Sequence, residues 1–309
     1  MTKRKQASGF AAVILASLLF GCGYSIGSIV EESGMSKTCN SLWVFLIAVL
    51  LNLIITAARG KNPFHRITKK QLFLCIICGA MANWLSNVLF LVAYQFLSVS
   101  ETTMLHFLHP TLIAIFMSVV YKERFSAAKL GAIICSVASM ILITGEMSGG
   151  SLTGIAAAVL TGVCYAFYPV MLEVSSLKDV ESSTVVLYMN ISCVVCAGVV
   201  SVCTGTFSLP ISTEVWVCDV LSAVTNFGGY ILSAYSVHVM GATNTSFGAM
   251  FEPIASCVIA TVFLNQPMQN NVFLAGCLVL LSVFFCSMNN RPVKKRKHRL
   301  FISKEKAAE

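Results

Sequence analysis

What most constrains this chain is a succession of ten apolar stretches, each close to twenty residues long and separated by short polar breaks. They run Gly9–Val30, Asn40–Ala58, Gln71–Leu97, Glu101–Tyr121, Ser126–Thr144, Leu152–Leu172, Thr184–Thr204, Glu214–Val237, Thr243–Leu264 and Asn271–Met288. About 20 apolar residues is the length of helix that crosses the hydrocarbon core of a bilayer. Backbone amides facing hydrocarbon must bond within their own segment, so such runs are read as helices. The pattern predicts an all-α membrane protein with ten transmembrane helices. Composition agrees, since 57% of the 309 residues are apolar and only 11% are charged, against roughly 25% charged in a soluble domain. So few charges cannot cover a water-exposed surface, and the apolar content excludes disorder. No room is left for a soluble catalytic domain. The third stretch is the longest, and a tilt would accommodate it.

Orientation follows from Lys and Arg, which concentrate in cytoplasmic loops. With the N-terminus inside, every Lys and Arg except Lys37 falls on the inner side, from Lys3, Arg4 and Lys5 to the tail after Met288. A wrong span count would scatter these charges. Both termini are therefore expected in the cytoplasm, with the chain threaded through the cell membrane as a multi-pass protein. The N-terminal Met-Thr-Lys-Arg-Lys before an apolar run is expected to be a retained first span, because the run is too long for a cleaved leader. The net charge of +8 and the basic run Lys294–Arg299 are assigned to anionic inner-leaflet lipid, with no nucleic acid as partner.

The sequence also repeats. Gly21, Tyr24 and Glu32 recur 141 positions later as Gly162, Tyr165 and Glu173, and Ala93–Tyr94 recurs at the same offset as Ala234–Tyr235. His109–Pro110 matches Glu252–Pro253 after a two-residue slip. Residues 1–145 and 150–290 thus form two five-helix repeats, followed by a basic cytoplasmic tail at 291–309. An odd number of spans gives the second repeat the opposite sense. Such inverted repeats hold the solute of secondary transporters near the midplane, where the halves meet.

Two segments carry a further likeness. The first runs from Leu97-Ser-Val-Ser-Glu-Thr-Thr through Leu108-His-Pro-Thr-Leu to Tyr121-Lys-Glu-Arg-Phe-Ser; the second runs from Met240-Gly-Ala-Thr to Phe251-Glu-Pro-Ile-Ala. Both resemble the EamA-type repeat of the drug/metabolite transporter superfamily. The resemblance covers about residues 9–288. It implies two inverted five-helix repeats around a cavity lined mainly by spans 1, 3, 4, 6, 8 and 9. Members move amino acids, metabolites, nucleotide sugars or drugs, so the substrate is not fixed. In one departure, Lys122-Glu123-Arg124 after span 4 becomes Asn265-Gln266-Pro267 after span 9. That second turn lies outside in this topology, so the loss of charge fits the orientation.

Ionisable groups at bilayer depth are costly and usually face a cavity. His109 falls at the middle of span 4 with His106 one turn earlier, and Glu252 falls at the equivalent point of span 9. His109 and Glu252 are the candidates for proton coupling, with a structural role beside their prolines as the competing reading. Asn83, Trp84 and Asn87 in span 3 and Asn226 and Tyr230 in span 8 add amides and rings at helical spacing. Tyr24, Tyr165 and Tyr168 add aromatic walls from spans 1 and 6. Together they suit a small polar or amphipathic solute, although each taken singly also serves as helix-packing glue. Glu101, Glu214 and Asp219 are expected near the outer surface, within reach of water.

Cys75-Ile-Ile-Cys78 and Cys193-Val-Val-Cys196 resemble metal-binding pairs, but they lie in apolar helices where Cys acts as a small hydrophobe. No cofactor or metal is expected. There is no Gly-x-x-x-x-Gly-Lys-Ser/Thr loop for ATP and no hydrolase motif. The reading is a non-enzymatic secondary transporter of a small organic metabolite, working by alternating access. Export is the direction the family resemblance favours. The competing classes are an intramembrane enzyme acting on lipid or peptide, and a ligand-binding membrane sensor. A homodimer stays open.

Overall fold

The computed structural model of the chain describes residues 3–32, 35–62, 64, 67–97, 102, 105–121, 126–144, 151–210, 212–263 and 270–288. All regular structure among them is helical. The helices are α1 (Lys3–Glu32), α2 (Lys37–Ala58), α3 (Lys69–Cys78), α4 (Ser86–Ala93), α5 (His109–Val120), α6 (Ala127–Thr144), α7 (Leu152–Val174), α8 (Ser182–Cys203), α9 (Thr213–Met240), α10 (Ala242–Ala249), α11 (Phe251–Phe263) and α12 (Asn270–Met288). They lie in the ten predicted stretches. Among the described residues six segments are long and apolar enough to cross a membrane by themselves: Lys5–Gly23, Thr38–Ala58, Lys69–Phe90, Leu152–Val174, Ser182–Cys203 and Thr213–Met240. Among the shorter apolar helices is α5.

Helices α3, α7 and α9 each start on a side-chain cap. The Thr68 hydroxyl accepts from the Gln71 amide while the Gln71 side chain accepts from the Thr68 amide, a reciprocal capping box. Ser151 and Ser212 cap α7 and α9 in the same single-ended way. These polar starts sit where the apolar pattern begins, so the local sequence sets the helix limits before any packing.

Packing joins the two halves reciprocally. Helix α1 packs on α9, and α7 packs on α3–α4; α2 pairs with α8, and α6 with α12. Side-chain bonds group the helix ends into two faces. On one, Lys61 pairs with Glu181 at 2.7 Å, Gln71 donates to the Ser176 carbonyl, Tyr121 donates to Glu173, and Ser182 meets His238. On the other, Asn40 donates to Asp219 and the Trp43 indole donates to the Ser208 carbonyl. We call these the basic face and the aromatic face, the latter for the contacts of Trp43 with Phe207 and Trp216.

The distribution of residues inverts that of a soluble protein. Ile54, Phe73, Val119, Val202 and Val262 are exposed, while Asn52, Asn83, Asn190, Ser136 and Asp219 are buried. Lipid can solvate the first group, whereas polar groups in an apolar medium gain by finding each other. Ser136 and Ser282 meet at 2.8 Å between α6 and α12, and Ser282 also donates to the Ala132 carbonyl. Cys75 and Cys78 belong to the main apolar core. Among the described residues no group of three His, Cys, Asp or Glu is placed to hold a metal ion.

Three features depart from simple spans. The third span carries a π-helical turn at Gly79–Leu85 between α3 and α4, so its extra length goes into a local change of winding. Side chains of α8 bond carbonyls at the start of that turn, Ser192 to Ile76 and Cys193 to Gly79. Gly79 is required there, because a Cβ would run into the Met189 backbone. Span 4 is interrupted by a turn at Phe107–Leu108, between the helical residues Leu105 and His106 and the start of α5 at His109. Span 9 is broken at Met250, between α10 and α11. Each of these last two breaks precedes a proline, which has no N–H to bond the carbonyl four residues earlier. Pro169, by contrast, sits inside the continuous helix α7.

Candidate functional site

The breaks lie beside a cavity of about 190 Å³ at the seam of the two halves. Phe20 and Gly23 of α1, Val44 of α2, Tyr165 of α7, Glu252 of α11 and His106 contribute to its wall. The π-turn and α4 supply Ala82, Asn83, Ser86, Asn87 and Phe90, and α9 supplies Ser222, Thr225, Asn226 and Tyr230. Seven of the eleven residues singled out in the sequence therefore meet here: Asn83, Asn87, His106, Tyr165, Asn226, Tyr230 and Glu252.

Three others are placed elsewhere, and Tyr24 has its side chain outside the described residues. Trp84 is half-buried and does not line the cavity. Tyr168 lies behind it, with its hydroxyl 3.4 Å from the Tyr230 carbonyl and its ring edge-on to the Tyr230 ring. His109 is buried one layer back, its ring 4.7 Å from that of Tyr165. Much of the Leu97–Thr103 and Tyr121–Ser126 segments, Glu101, the turn at 265–267 and the basic tail also lie outside the described residues.

The two histidines are fixed by their hydrogen bonds. The Thr161 hydroxyl donates to the Ala158 carbonyl at 2.6 Å, so it can only accept from His106 Nδ1, 3.0 Å away. His106 thus carries its proton on Nδ1, leaving Nε2 as an acceptor edge. His109 Nδ1 donates to the His106 carbonyl at 3.1 Å. That carbonyl is four residues before Pro110, so the His109 ring supplies the donor that the proline lacks. His109 Nε2 is buried without a partner among the described residues. Phe90 and Tyr165 hold the His106 ring at 4.8 and 5.3 Å. Gly162 lets α7 approach closely, since a Cβ there would stand 2.8 Å from the His106 carbonyl oxygen.

The remaining wall is polar and incompletely matched. The Asn87 side chain donates to the Asn83 backbone carbonyl at 2.6 Å. Asn83 Nδ2, a donor, and Asn226 Oδ1, an acceptor, are buried without partners among the described residues. Glu252 is the only carboxyl group on the described wall, which it shares with the imidazole of His106, and it is 6% exposed. It stands in the first turn of α11, where the helix dipole favours negative charge. Buried polar atoms are ordinarily bonded. A cavity presenting a spare donor, a spare acceptor and a carboxylate is therefore built to hold something polar.

The sequence profile of the EamA-like transporter family matches residues 7–145 and again 152–288. The chain belongs to the EamA-like transporter family. Among curated proteins it is similar to the uncharacterised inner membrane transporter YicL of Salmonella typhimurium, 25% identical over 161 residues. That alignment takes in 52% of this chain and 54% of YicL, so it spans about half the length of that relative. A solved crystal structure of another protein shares the fold with a TM-score of 0.74 at 15% identity, covering 93% of this chain and 98% of that one. The family membership and the apolar helices make this a multi-pass membrane protein.

Some wall residues were missed in the sequence. Ser222, Asn226 and Tyr230 recur every four residues along α9, and Asn83, Ser86, Asn87 and Phe90 follow the same helical spacing. That stripe was the available signal, and only its amides and tyrosine were picked out. Val44, Phe20 and Gly23 carried no such signal, because apolar and small residues look alike on lipid-facing and cavity-facing sides. The expectation for Asp219 is corrected. It is 0% exposed on α9, whereas Glu214, one turn and a half earlier, is exposed.

Proposed function

We propose that the chain is a secondary transporter that moves a small organic metabolite by alternating access. The observation that carries this reading is the convergence of Asn83 Nδ2, Asn226 Oδ1 and Glu252 on one cavity between helices of both repeats. The solute has a donor and an acceptor for the two amides and a cationic or proton-donating group for Glu252. An amino-acid-like or amphipathic molecule meets that description, and aromatic contact with Phe20, Phe90 and Tyr165 covers its apolar part. Export follows the family resemblance. The two repeats, at 1–145 and 150–290, are inverted, with both termini on the cytoplasmic side of the cell membrane and the tail at 291–309 against anionic lipid.

Proton exchange is assigned to Glu252, with His106 as the imidazole sharing its cavity. His109, the partner favoured by repeat position, keeps the structural task of bonding the freed His106 carbonyl. The test is a comparison of intracellular and external metabolites between cells with and without the protein. An exported solute falls inside and rises outside in wild-type cells, and Glu252→Gln abolishes the difference. Identical metabolite pools in cells with and without the protein would refute the reading.

A further inference from the structure

On the aromatic face, away from the cavity lining, a carboxyl group is sealed inside the protein. Asp219 of α9 has no exposed surface. Its Oδ1 accepts one hydrogen bond, 2.9 Å from Asn40 Nδ2 of α2. Its Oδ2 is buried and has no partner among the described residues. The same end of the bundle holds an apolar cluster: Val30, Met35, Cys39 and Val215 are buried together, with Trp43 and Cys218 packed against them. The segment before α9 closes over this end, because Cys39 Sγ lies 3.1 Å from the Ser208 carbonyl oxygen and Trp43 donates to the same carbonyl.

An ionised carboxylate in this position would face apolar side chains with a single neutral donor. Burying a charge on such terms costs several kcal/mol even after relaxation, and a group so placed takes up a proton in preference. Among the described residues no cation answers it. Of the other ionisable residues at this end, Glu214 is exposed, Cys39 and Cys218 are free cysteines, and Glu31, Glu32 and Lys37 have side chains outside the described residues.

We propose that Asp219 is a proton-carrying site of this transporter, loaded as a neutral carboxylic acid while the seam between α2 and α9 is closed. When the seam opens, water reaches Oδ2 and accepts its proton, leaving the carboxylate; closure requires the proton to return. The device is one-sided. The residue 141 positions earlier is Cys78, also fully buried but a thiol, so the equivalent position of the first repeat holds no carboxyl. The site thus ties one half of the conformational cycle to a proton. Its role in transport rests on the function proposed above, whereas its protonation does not.

The test is infrared spectroscopy of the purified, reconstituted full chain, which needs no solute. The chain has two aspartates, Asp219 and the solvent-exposed Asp179. Labelling with aspartate carrying ¹³C at the side-chain carboxyl shifts only their bands, and Asp179→Asn leaves Asp219 alone. We expect a protonated carboxyl band at neutral pH that shifts with the label and is lost in Asp219→Asn. Cys39 Sγ is 3.8 Å from Ser208 Oγ, so Ser208→Cys permits a disulfide that locks the seam. In the locked protein the band persists as pH rises, and after reduction it gives way to carboxylate. A labelled Asp219 already ionised at neutral pH would overturn the proposal. So would a band that titrates identically in the locked and reduced protein. Unchanged metabolite pools together with a protonated Asp219 would count against the transport reading alone.

Discussion

The two proline breaks occupy equivalent positions in the repeats and have been put to different uses. At His109–Pro110, the side chain before the proline turns back to the main chain and bonds the His106 carbonyl. At Glu252–Pro253, the side chain before the proline reaches the cavity. The first break therefore exposes a different residue to the cavity, His106, whose ring is held by Thr161, Phe90 and Tyr165. The lesson is that repeat symmetry fixes where the backbone opens, and local hydrogen bonding decides which side chain uses the opening. A backbone carbonyl deprived of its partner competes with the cavity for the nearest donor. Histidine can satisfy it and an ionised glutamate, which only accepts, cannot.

Removing the charge at the second break should have the largest effect. Glu252→Gln is expected to lower transport about 10- to 100-fold, the equivalent of the roughly 1.5–3 kcal/mol in a hydrogen bond to a charged group. The measurement is export of the solute identified by metabolite comparison, normalised to folded protein in the membrane. Wild-type rates would break the comparison at its functional end.

The next effect is expected at His106. His106→Phe keeps a ring between Phe90 and Tyr165 but removes the acceptor edge, and about a fivefold loss of transport corresponds to one neutral hydrogen bond of about 1 kcal/mol. At His109 the account predicts a loss of a different kind. His109→Ala leaves the His106 carbonyl unbonded and lowers stability by about 1–3 kcal/mol, read as thermal unfolding in detergent, while transport per folded molecule stays within about twofold. His109→Asn, whose amide can replace the Nδ1 donor, recovers most of that stability. If His109→Ala impaired transport more than His106→Phe, the assignment of the two histidines would be reversed.

The smallest effect tests the support behind the first break. Gly162→Ala places a methyl group against the His106 carbonyl oxygen. Overpacking of this kind costs about 1–3 kcal/mol, so the variant should unfold at lower temperature and shift the His106 ring. The corresponding change at Gly228, whose added Cβ meets only the flexible end of Leu19 at 3.0 Å, should be tolerated better.

The helices were legible because their signal is local. Apolar length, a capping Thr68 and Gln71, and charges at one set of loops can be read without knowing any tertiary contact. The polar cavity wall was legible in part for the same reason, since Asn226 and Tyr230 repeat at helical spacing. What escaped depends on neighbours distant in sequence. The π-turn at Gly79–Leu85 is met by Met189, Ser192 and Cys193, more than a hundred positions away. Which of His106 and His109 lines the cavity depends on one bond to Thr161 and one to a carbonyl. Asp219 stands near a helix end, where sequence depth suggests water, yet α2 and the Ser208 segment close over it.

The account stands on the cavity being the solute's path, and chemical modification of its wall tests that most directly. Asn87 lines the cavity and is exposed to it, so Asn87→Cys can be introduced into a cysteine-free background and treated with a charged, membrane-impermeant thiol reagent. The prediction is that the reagent attaches and that export falls to the level of cells without the protein, while Ile54→Cys on the lipid-facing surface is left unmodified. Full export by protein quantitatively modified at Asn87→Cys would contradict the account.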